Sequence, residues 1–305
     1  MASPLPVRDG VGATRLHVPL RGDWPTIAAY MIERFFHLDP QRLLVRFDRG
    51  EIVARDGRPL ARDTPLGAEE FVWYYREPPL EREIPFEVDV LHEDRDLVVV
   101  DKPHFLPTTP GGKYLRNSAL VRLRNLLGTP ELTPIHRLDR ATAGLLMFSA
   151  RQETRGAYQL LFENRAVRKT YEAVSARPAG WDAAAFPLVY RNHIRKNRGE
   201  VCVQVDAARE PNSETLIEVL SADERVVHTL LHPHSGKMHQ LRVHLAALGL
   251  GILNDGFYPV LLPEAPDDFA RPLQLLAREL RFTDPLSGEP RRFVTRRSLQ
   301  EAPRR

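Results

Sequence analysis

Between Ile135 and Leu145 the chain gathers His136, Arg137, Asp139 and Arg140, with the apolar run Leu145-Leu146-Met147-Phe148 immediately after them. Such a segment delivers polar groups to the mouth of a buried strand, as an active-site loop does. Asp139 is the only carboxylate in it. Cations on both flanks suit an anionic carboxylate, the form that a nucleophile or a base requires. A buried Asp that merely satisfies loop backbone would have the same neighbours, because structural ion pairs gather the same groups. The stretch alone leaves both readings open.

Two other segments can face such a loop. Arg168 to Ser175 alternates as a strand, with Lys169, Tyr171 and Ala173 on one face and Thr170, Glu172 and Val174 on the other. Met238 to Leu248 reads as a helix stopped by Gly249, with Met238, Leu241, Leu245 and Leu248 as its core face. His239 and Arg242, three apart, share a neighbouring face that can look into a site. The run Arg191-Asn192-His193-Ile194-Arg195-Lys196-Asn197-Arg198 is the best local candidate for phosphate contacts, although such runs are more often solvated hairpin tips.

One carboxylate with an arginine and an aromatic would also suit a glycosidase or a nucleoside-cleaving hydrolase. A glycosidase needs two carboxylates at a set separation, and the sequence places neither Asp101 nor Asp255 near Asp139. His232, His234, His239 and His244 lack the i, i+4 pair of a zinc-binding helix, so no metal is expected. Cys202, the only cysteine, lies in the alternating stretch 200–205, where it reads as strand packing and excludes an internal disulfide.

The elements that must carry these groups are short and irregularly ordered. Trp24, Ile27, Met31, Phe35 and Leu38 predict one helix, and Asp39-Pro40 restarts the chain in a second through Phe47. Short strands are expected at 51–55, after which a turn follows, and at 71–75, with residues 1–13 mobile and a linker from Glu77 to Pro85. Beyond the linker come an apolar strand ending at Asp101-Lys102-Pro103, a helix over 117–127 with Arg122 and Arg124 outward, and a helix over 153–164. Strands are expected at 215–220 and 225–232, a turn at Asn254-Asp255-Gly256, a strand or short helix at 273–282, and a basic tail over 296–305. Strands outnumber helices without regular alternation, which predicts an α+β fold around a large mixed sheet.

At 305 residues with 43% hydrophobic and 27% charged, the chain suits a globular core and has no apolar run near the roughly 18 residues of a membrane span. Its first residues lack the pattern of a secretory signal, so a cytoplasmic location is expected. The net charge of +3 permits an anionic partner. Residues 1–85 carry 12 Arg against 13 acidic residues, which leaves 31 basic and 27 acidic for the remainder. Any electrostatic footprint for nucleic acid therefore belongs to the larger part. Of the 43 basic residues only five are Lys, a bias toward the side chain that grips phosphate in two-pronged fashion.

Three segments together carry a family resemblance: His136-Arg137-Leu138-Asp139-Arg140-Ala141-Thr142-Ala143-Gly144-Leu145, Lys169-Thr170-Tyr171-Glu172-Ala173-Val174, and Ser235-Gly236-Lys237-Met238-His239-Gln240-Leu241-Arg242-Val243-His244-Leu245-Ala246. In order and spacing they resemble the RluA family of pseudouridine synthases over residues 88–298. Ala143 and Lys237-Met238 depart from the usual family pattern without touching the carboxylate. The segments at Asp101-Lys102-Pro103 and 254–258 also match and look structural. The small module at 14–80 resembles, loosely, the S4-like domain that often precedes RNA-modifying catalytic domains, and a packing or protein-interaction role is its alternative.

The resemblance implies a pseudouridine-synthase fold with a mostly antiparallel sheet over 86–305, and isomerisation of uridine to pseudouridine in ribosomal or transfer RNA without cofactor or metal. It implies Asp139 as nucleophile, Arg242 as its partner, and Tyr171 stacking on the flipped uracil and helping to remove the C5 proton. Arg137 would brace the gap left by the extruded nucleotide. His136, Arg137, Lys169, His239 and Leu241 form the implied substrate-binding set. RNA is the implied partner, with neither DNA nor membrane expected. The alternatives are an RNA-binding module without catalysis and an N-glycosidic-bond hydrolase.

Overall fold

A computed structural model describes residues 3–77 and 80–303, so part of the expected linker and the end of the expected basic tail lie outside the described residues. The chain divides into two compact units, one of residues 1–81 with 112–116 and one of 82–111 with 117–305.

In the first unit, strand β1 (Thr14–His17) pairs antiparallel with β2 (Phe71–Tyr74), and helices α1 (Ile27–Arg34) and α2 (Pro40–Asp48) lie between them in sequence. Its core joins Ile27 and Met31 of α1, Leu43 and Phe47 of α2, and Ile52, Leu60 and Val72. Helix α1 is shorter than its apolar spacing predicts because Thr26 caps it, its Oγ1 accepting from the Ala29 N–H at 3.1 Å. Trp24 stays outside the helix and donates its indole N–H to Glu33 at 2.8 Å. The strand expected at 51–55 is reduced to isolated bridges from Val53 to Trp73 and Pro59. Proline has no N–H with which to continue that ladder. Residues 112–116 belong here because the Glu81 carboxylate accepts the N–H groups of Leu115 and Arg116 at 2.9 and 2.7 Å.

The second unit is built on a sheet of ten strands: β3 (Asp89–Glu93), β4 (Leu97–Lys102), β5 (Thr133–Pro134), β6 (Ala143–Ser149), β7 (Arg168–Ala176), β8 (Leu188–Asn192), β11 (Ser213–Ala222), β12 (Val226–Pro233), β13 (Leu275–Thr283) and β14 (Pro290–Val294). A separate hairpin, β9 (Ile194–Arg195) with β10 (Gln204–Val205), stands apart from it. The spatial order is β3-β4-β6-β13-β7-β12-β11-β8, with β14 on β13 and β5 on β6. The β6–β13 pairing is parallel and the other pairings within this sheet are antiparallel, so the α+β mixed-sheet expectation holds. The stretch left open between strand and helix at 273–282 is β13.

Helix α3 (Ala119–Leu127) starts at Ser118, and α4 (Gln152–Glu163) packs Tyr158 against Leu97, Val99, Leu145, Met147 and Leu280. Helix α5 (Gln240–Ala247) packs Leu241 and Leu245 against Ala173, Ile217, Val227 and Leu231 of the sheet. Arg122 and Arg124 do not point outward as expected. Arg122 donates to the carbonyls of Ile84 and Phe86, and Arg124 to that of Leu132, so both serve partly buried backbone acceptors. The start of the tail is likewise stitched down, since Thr295 and the Arg296 N–H bond to the buried Asp101 carboxylate at 2.6 and 2.8 Å.

The parallel join depends on one glycine. Gly144 has φ +109°, a conformation that side chains rarely adopt, and a Cβ there would lie 2.3 Å from the Ala277 carbonyl oxygen. Only a residue without a side chain lets β13 approach β6 this closely, five residues after Asp139.

Candidate active site

Residues 135–142 run irregularly into β6, yet their backbone is held at nearly every step. The Thr108 hydroxyl accepts from the Leu138 N–H at 3.1 Å and donates to the Leu138 carbonyl at 3.0 Å. The buried Lys102 ammonium donates to the carbonyls of Leu106, Pro103 and Arg140 at 2.7, 3.0 and 3.3 Å. His104 donates its Nδ1–H to the Ala141 carbonyl at 2.7 Å, and Arg140 makes a two-pronged pair with Asp267 at 2.9 and 2.7 Å. Burial lowers Lys102 to about 7, opposed by the negative charge of Asp139, and lowers His104 to about 4. The loop therefore presents the Asp139 side chain, 30% exposed, from a fixed base.

Arg242 reaches that carboxylate from α5. Its Nη1 donates to Asp139 Oδ2 at 3.3 Å, while Nε and Nη2 donate to Asp255 Oδ2 and Oδ1 at 2.8 and 2.5 Å. The guanidinium also lies 4.8 Å from the Phe257 ring centre and 5.4 Å from that of Tyr258. Burial lowers its affinity for the proton, but Asp255 and Asp139 together outweigh that and raise it. With two of its nitrogens held by the Asp255 carboxylate, the cation has its third aimed at Asp139.

Asp255 corrects the sequence reading, which places no second carboxylate near Asp139. It shares the same guanidinium. It is not a glycosidase's second acid, however: it is 1% exposed, and its oxygens also accept the N–H groups of Phe257 and Tyr258 at 2.8 and 3.3 Å.

Tyr171, on β7, packs against the α5 core with Ala141, on the face predicted for it. Burial first, and then the charge of Asp139, raise its phenol well above the ordinary value. A phenol so raised is held in its neutral form, with its ring and hydroxyl beside Asp139. His239 lies at the head of α5 with φ +55°, and its Nε2 is 3.9 Å from Asp139 Oδ1. That left-handed residue starts the helix later than predicted and leaves Met238 44% exposed rather than in the core face.

The remaining expected substrate-binding residues are scattered. Arg137 is exposed and makes no hydrogen bond or ion pair among the described residues. Lys169 donates to the Ser235 carbonyl at 3.2 Å, on the loop that leads into α5. Leu241 is buried in the core beneath the site. His136 accepts the Met147 N–H on Nε2 at 3.2 Å and stacks on Phe162 at 4.5 Å, and burial lowers it to about 3. Its ring braces β6 against α4, and the contacts that the structure gives His136 and Leu241 are packing contacts. Among the described residues no group of three or more His, Cys, Asp or Glu could hold a metal, and no helix is long and apolar enough to cross a membrane.

The family model of RNA pseudouridylate synthases matches residues 96–247, a span that contains Asp139, Tyr171 and Arg242. The dual-specificity RNA pseudouridine synthase RluA of Yersinia pestis is 32% identical over 207 residues, 67% of this chain and 96% of its own. The chain belongs to the RluA family of RNA pseudouridine synthases. A Synechocystis protein described as an uncharacterized RNA pseudouridine synthase is 29% identical over 237 residues, 74% of this synthase and 77% of its own length. The solved structure of human RNA pseudouridylate synthase domain containing 4 covers 70% of this synthase and 89% of its own chain, with a TM-score of 0.53 and 26% identity.

Several groups around the synthase's site were not assigned to it from sequence: Thr108 and His104, Lys102, Asp255 and Tyr258 of the segments read as structural, and Gln240 of the third motif. Gln240 accepts from the Ser235 hydroxyl and the Lys237 N–H, and donates to the Glu214 carbonyl and Thr215 hydroxyl, at 2.8 to 3.0 Å. It fixes the turn into α5 and with it Arg242. Asp255 carried one usable signal, an acidic residue in the turn after an arginine-bearing helix. The Thr108 bolt spans 30 residues and left none.

Proposed function

We propose that this synthase isomerises uridine to pseudouridine in structured ribosomal or transfer RNA, with Asp139 as the nucleophile on a flipped-out base. The observation that carries the reading is the convergence on one carboxylate. Asp139 projects from a loop whose backbone is tied down, with Arg242 on Oδ2, His239 facing Oδ1 and Tyr171 near enough to feel its charge.

In this reading Asp139 adds to the nucleoside, at ribose C1′ or at the base. The N1–C1′ bond breaks, the base rotates and a C5–C1′ bond forms, the bond to Asp139 breaks to regenerate the carboxylate, and the C5 proton passes to water. Arg242 orients the carboxylate and draws on its second oxygen, an electrostatic contribution prepared before substrate arrives. Tyr171 offers its ring to the extruded uracil, and the exposed Arg137 braces the gap in the RNA, whose opening costs a few kcal/mol. Lys169 lines the approach by way of the Ser235 turn. Residues 86–305 form the catalytic domain and 14–80 an S4-like accessory module. Target choice then rests on RNA shape and a presented single-stranded loop.

The test is tritium release from C5-labelled uridine in bulk ribosomal and transfer RNA, with Asp139→Ala beside the wild type. Release by wild type alone supports the reaction and the nucleophile together. Equal release by the variant removes Asp139 from the chemistry, and free uracil as product shifts the reading to a hydrolase.

A further inference from the structure

His239 stands opposite the nucleophile, and what it can do there depends on which ring nitrogen carries its proton. The hydrogen bonds around Tyr258 decide that. The Val203 N–H can only donate, and it donates to the Tyr258 oxygen at 2.7 Å. The hydroxyl keeps a single proton of its own. Its acceptor among the described residues is His239 Nδ1, at 3.0 Å. Tyr258 is buried, and an O–H left without a partner there would carry the full cost of desolvation. Nδ1 is therefore the bare nitrogen.

We propose that Tyr258 is a positioning residue that fixes the proton of His239 on Nε2, aimed at Asp139 Oδ1, so that the nucleophile is held between two donors. Arg242 takes Oδ2 at 3.3 Å, and the His239 Nε2–H faces Oδ1 across 3.9 Å, a gap for bound RNA to close. The inference rests on Asp139 as nucleophile. His239 is itself nearly inaccessible, and the charged groups that face it are Asp139, Arg242, Asp255 and Lys196. Burial lowers its pKa and so favours the neutral ring in which a choice of nitrogen exists. The Phe257 ring, 5.6 Å away, packs against it.

The support for Tyr258 comes from a part of the fold that has other business. Val203 lies next to β10, and the β9–β10 hairpin carries Lys196 and Arg198, exposed and unpaired among the described residues. The donor that orients Tyr258 thus belongs to the hairpin best suited to meet phosphate. Residues 254–258 are accordingly more than structural: Asp255 orients Arg242, and Tyr258 orients His239.

The first experiment reads the wild-type protein directly, with 15N-labelled histidine in NMR at a pH where His239 is neutral. The expected spectrum has a proton on Nε2 and a bare, hydrogen-bonded Nδ1. A proton on Nδ1 overturns the proposal whatever the activity. The second is a double-mutant cycle in the tritium assay. Tyr258→Phe should lower kcat roughly tenfold with little change in RNA affinity, and should add nothing in a His239→Ala background. An equal further loss in that background would mean that Tyr258 acts elsewhere and would overturn the proposal. An active Asp139→Ala with the expected tautomer would instead refute the nucleophile and leave the hydrogen-bond assignment standing.

Discussion

The loop that bears Asp139 and the hairpin that bears Lys196 lie in the same unit and are built in opposite ways. In the loop, Thr108, Lys102 and His104 serve backbone groups of Leu138, Arg140 and Ala141, and the Arg140 side chain is clamped by Asp267. In the hairpin, two strands of two residues each hold the chain, and Lys196 and Arg198 project with no partner of their own among the described residues. A group that must attack one atom needs a geometry fixed in advance. A group that must find a phosphate gains from reach. The difference separates the residues that should set rate from those that should set affinity.

The largest effect should come from Asp139→Ala, which is expected to lower pseudouridine formation by about 10⁴-fold or more while RNA binding in a filter assay stays unchanged. Parallel loss of binding would erase the division between the two regions. Thr108→Val keeps the shape and removes both bonds to Leu138. It should lower kcat roughly 10–100-fold through misplacement of the loop, at a cost in stability of about 1–3 kcal/mol for the stranded groups. An unaltered kcat would show that the loop does not need its bolt.

Replacing Lys196 and Arg198 together by Ala should be felt in affinity rather than rate. RNA affinity is expected to fall, and the slope of its logarithm against that of salt concentration to become shallower by about one for each phosphate that the hairpin no longer neutralises. A salt slope equal to that of the wild type would take the hairpin out of the RNA interface.

The smallest effect concerns pH. Lys102 has a folded value near 7 against an ordinary value near 10.5. Between those limits the unfolded chain binds a proton there that the folded chain has released, so unfolding takes up a proton and stability rises with pH. Below about 7 both states are protonated, and the penalty for burying the ammonium is present in full. Thermal melts of Lys102→Met should therefore rise less between about pH 7 and 9 than those of the wild type. Identical slopes would mean that the three carbonyls hold Lys102 as an ammonium throughout.

The loop, the strand face and the arginine of the site were legible because each is local: a polar cluster ahead of an apolar run, an alternation, and a helical spacing. A helix cap explains the shifted start at Thr26, where one side-chain bond ends a pattern that the apolar spacing continues. His239 shows the limit of periodicity, since its left-handed backbone removes Met238 from a face that its spacing alone would give it. His136 shows another, for a titratable side chain three residues before Asp139 can turn to its own core and stack on Phe162. The Asp255–Arg242 pair and the Thr108 bolt depend on chain segments brought together by the sheet, which no local pattern encodes.

The place of β13 bears on when the synthase becomes competent. Asp139 leads into β6 and Tyr171 lies on β7, but these strands are not neighbours, because residues 275–283 are inserted between them. The two halves of the site are thus complete in sequence long before they are joined in space. During synthesis the chain must run more than a hundred residues past Asp139 before β13 can slide against Gly144 and bring them into register. Until then the nascent chain carries Asp139 and Tyr171 without the strand that lies between theirs in the finished sheet.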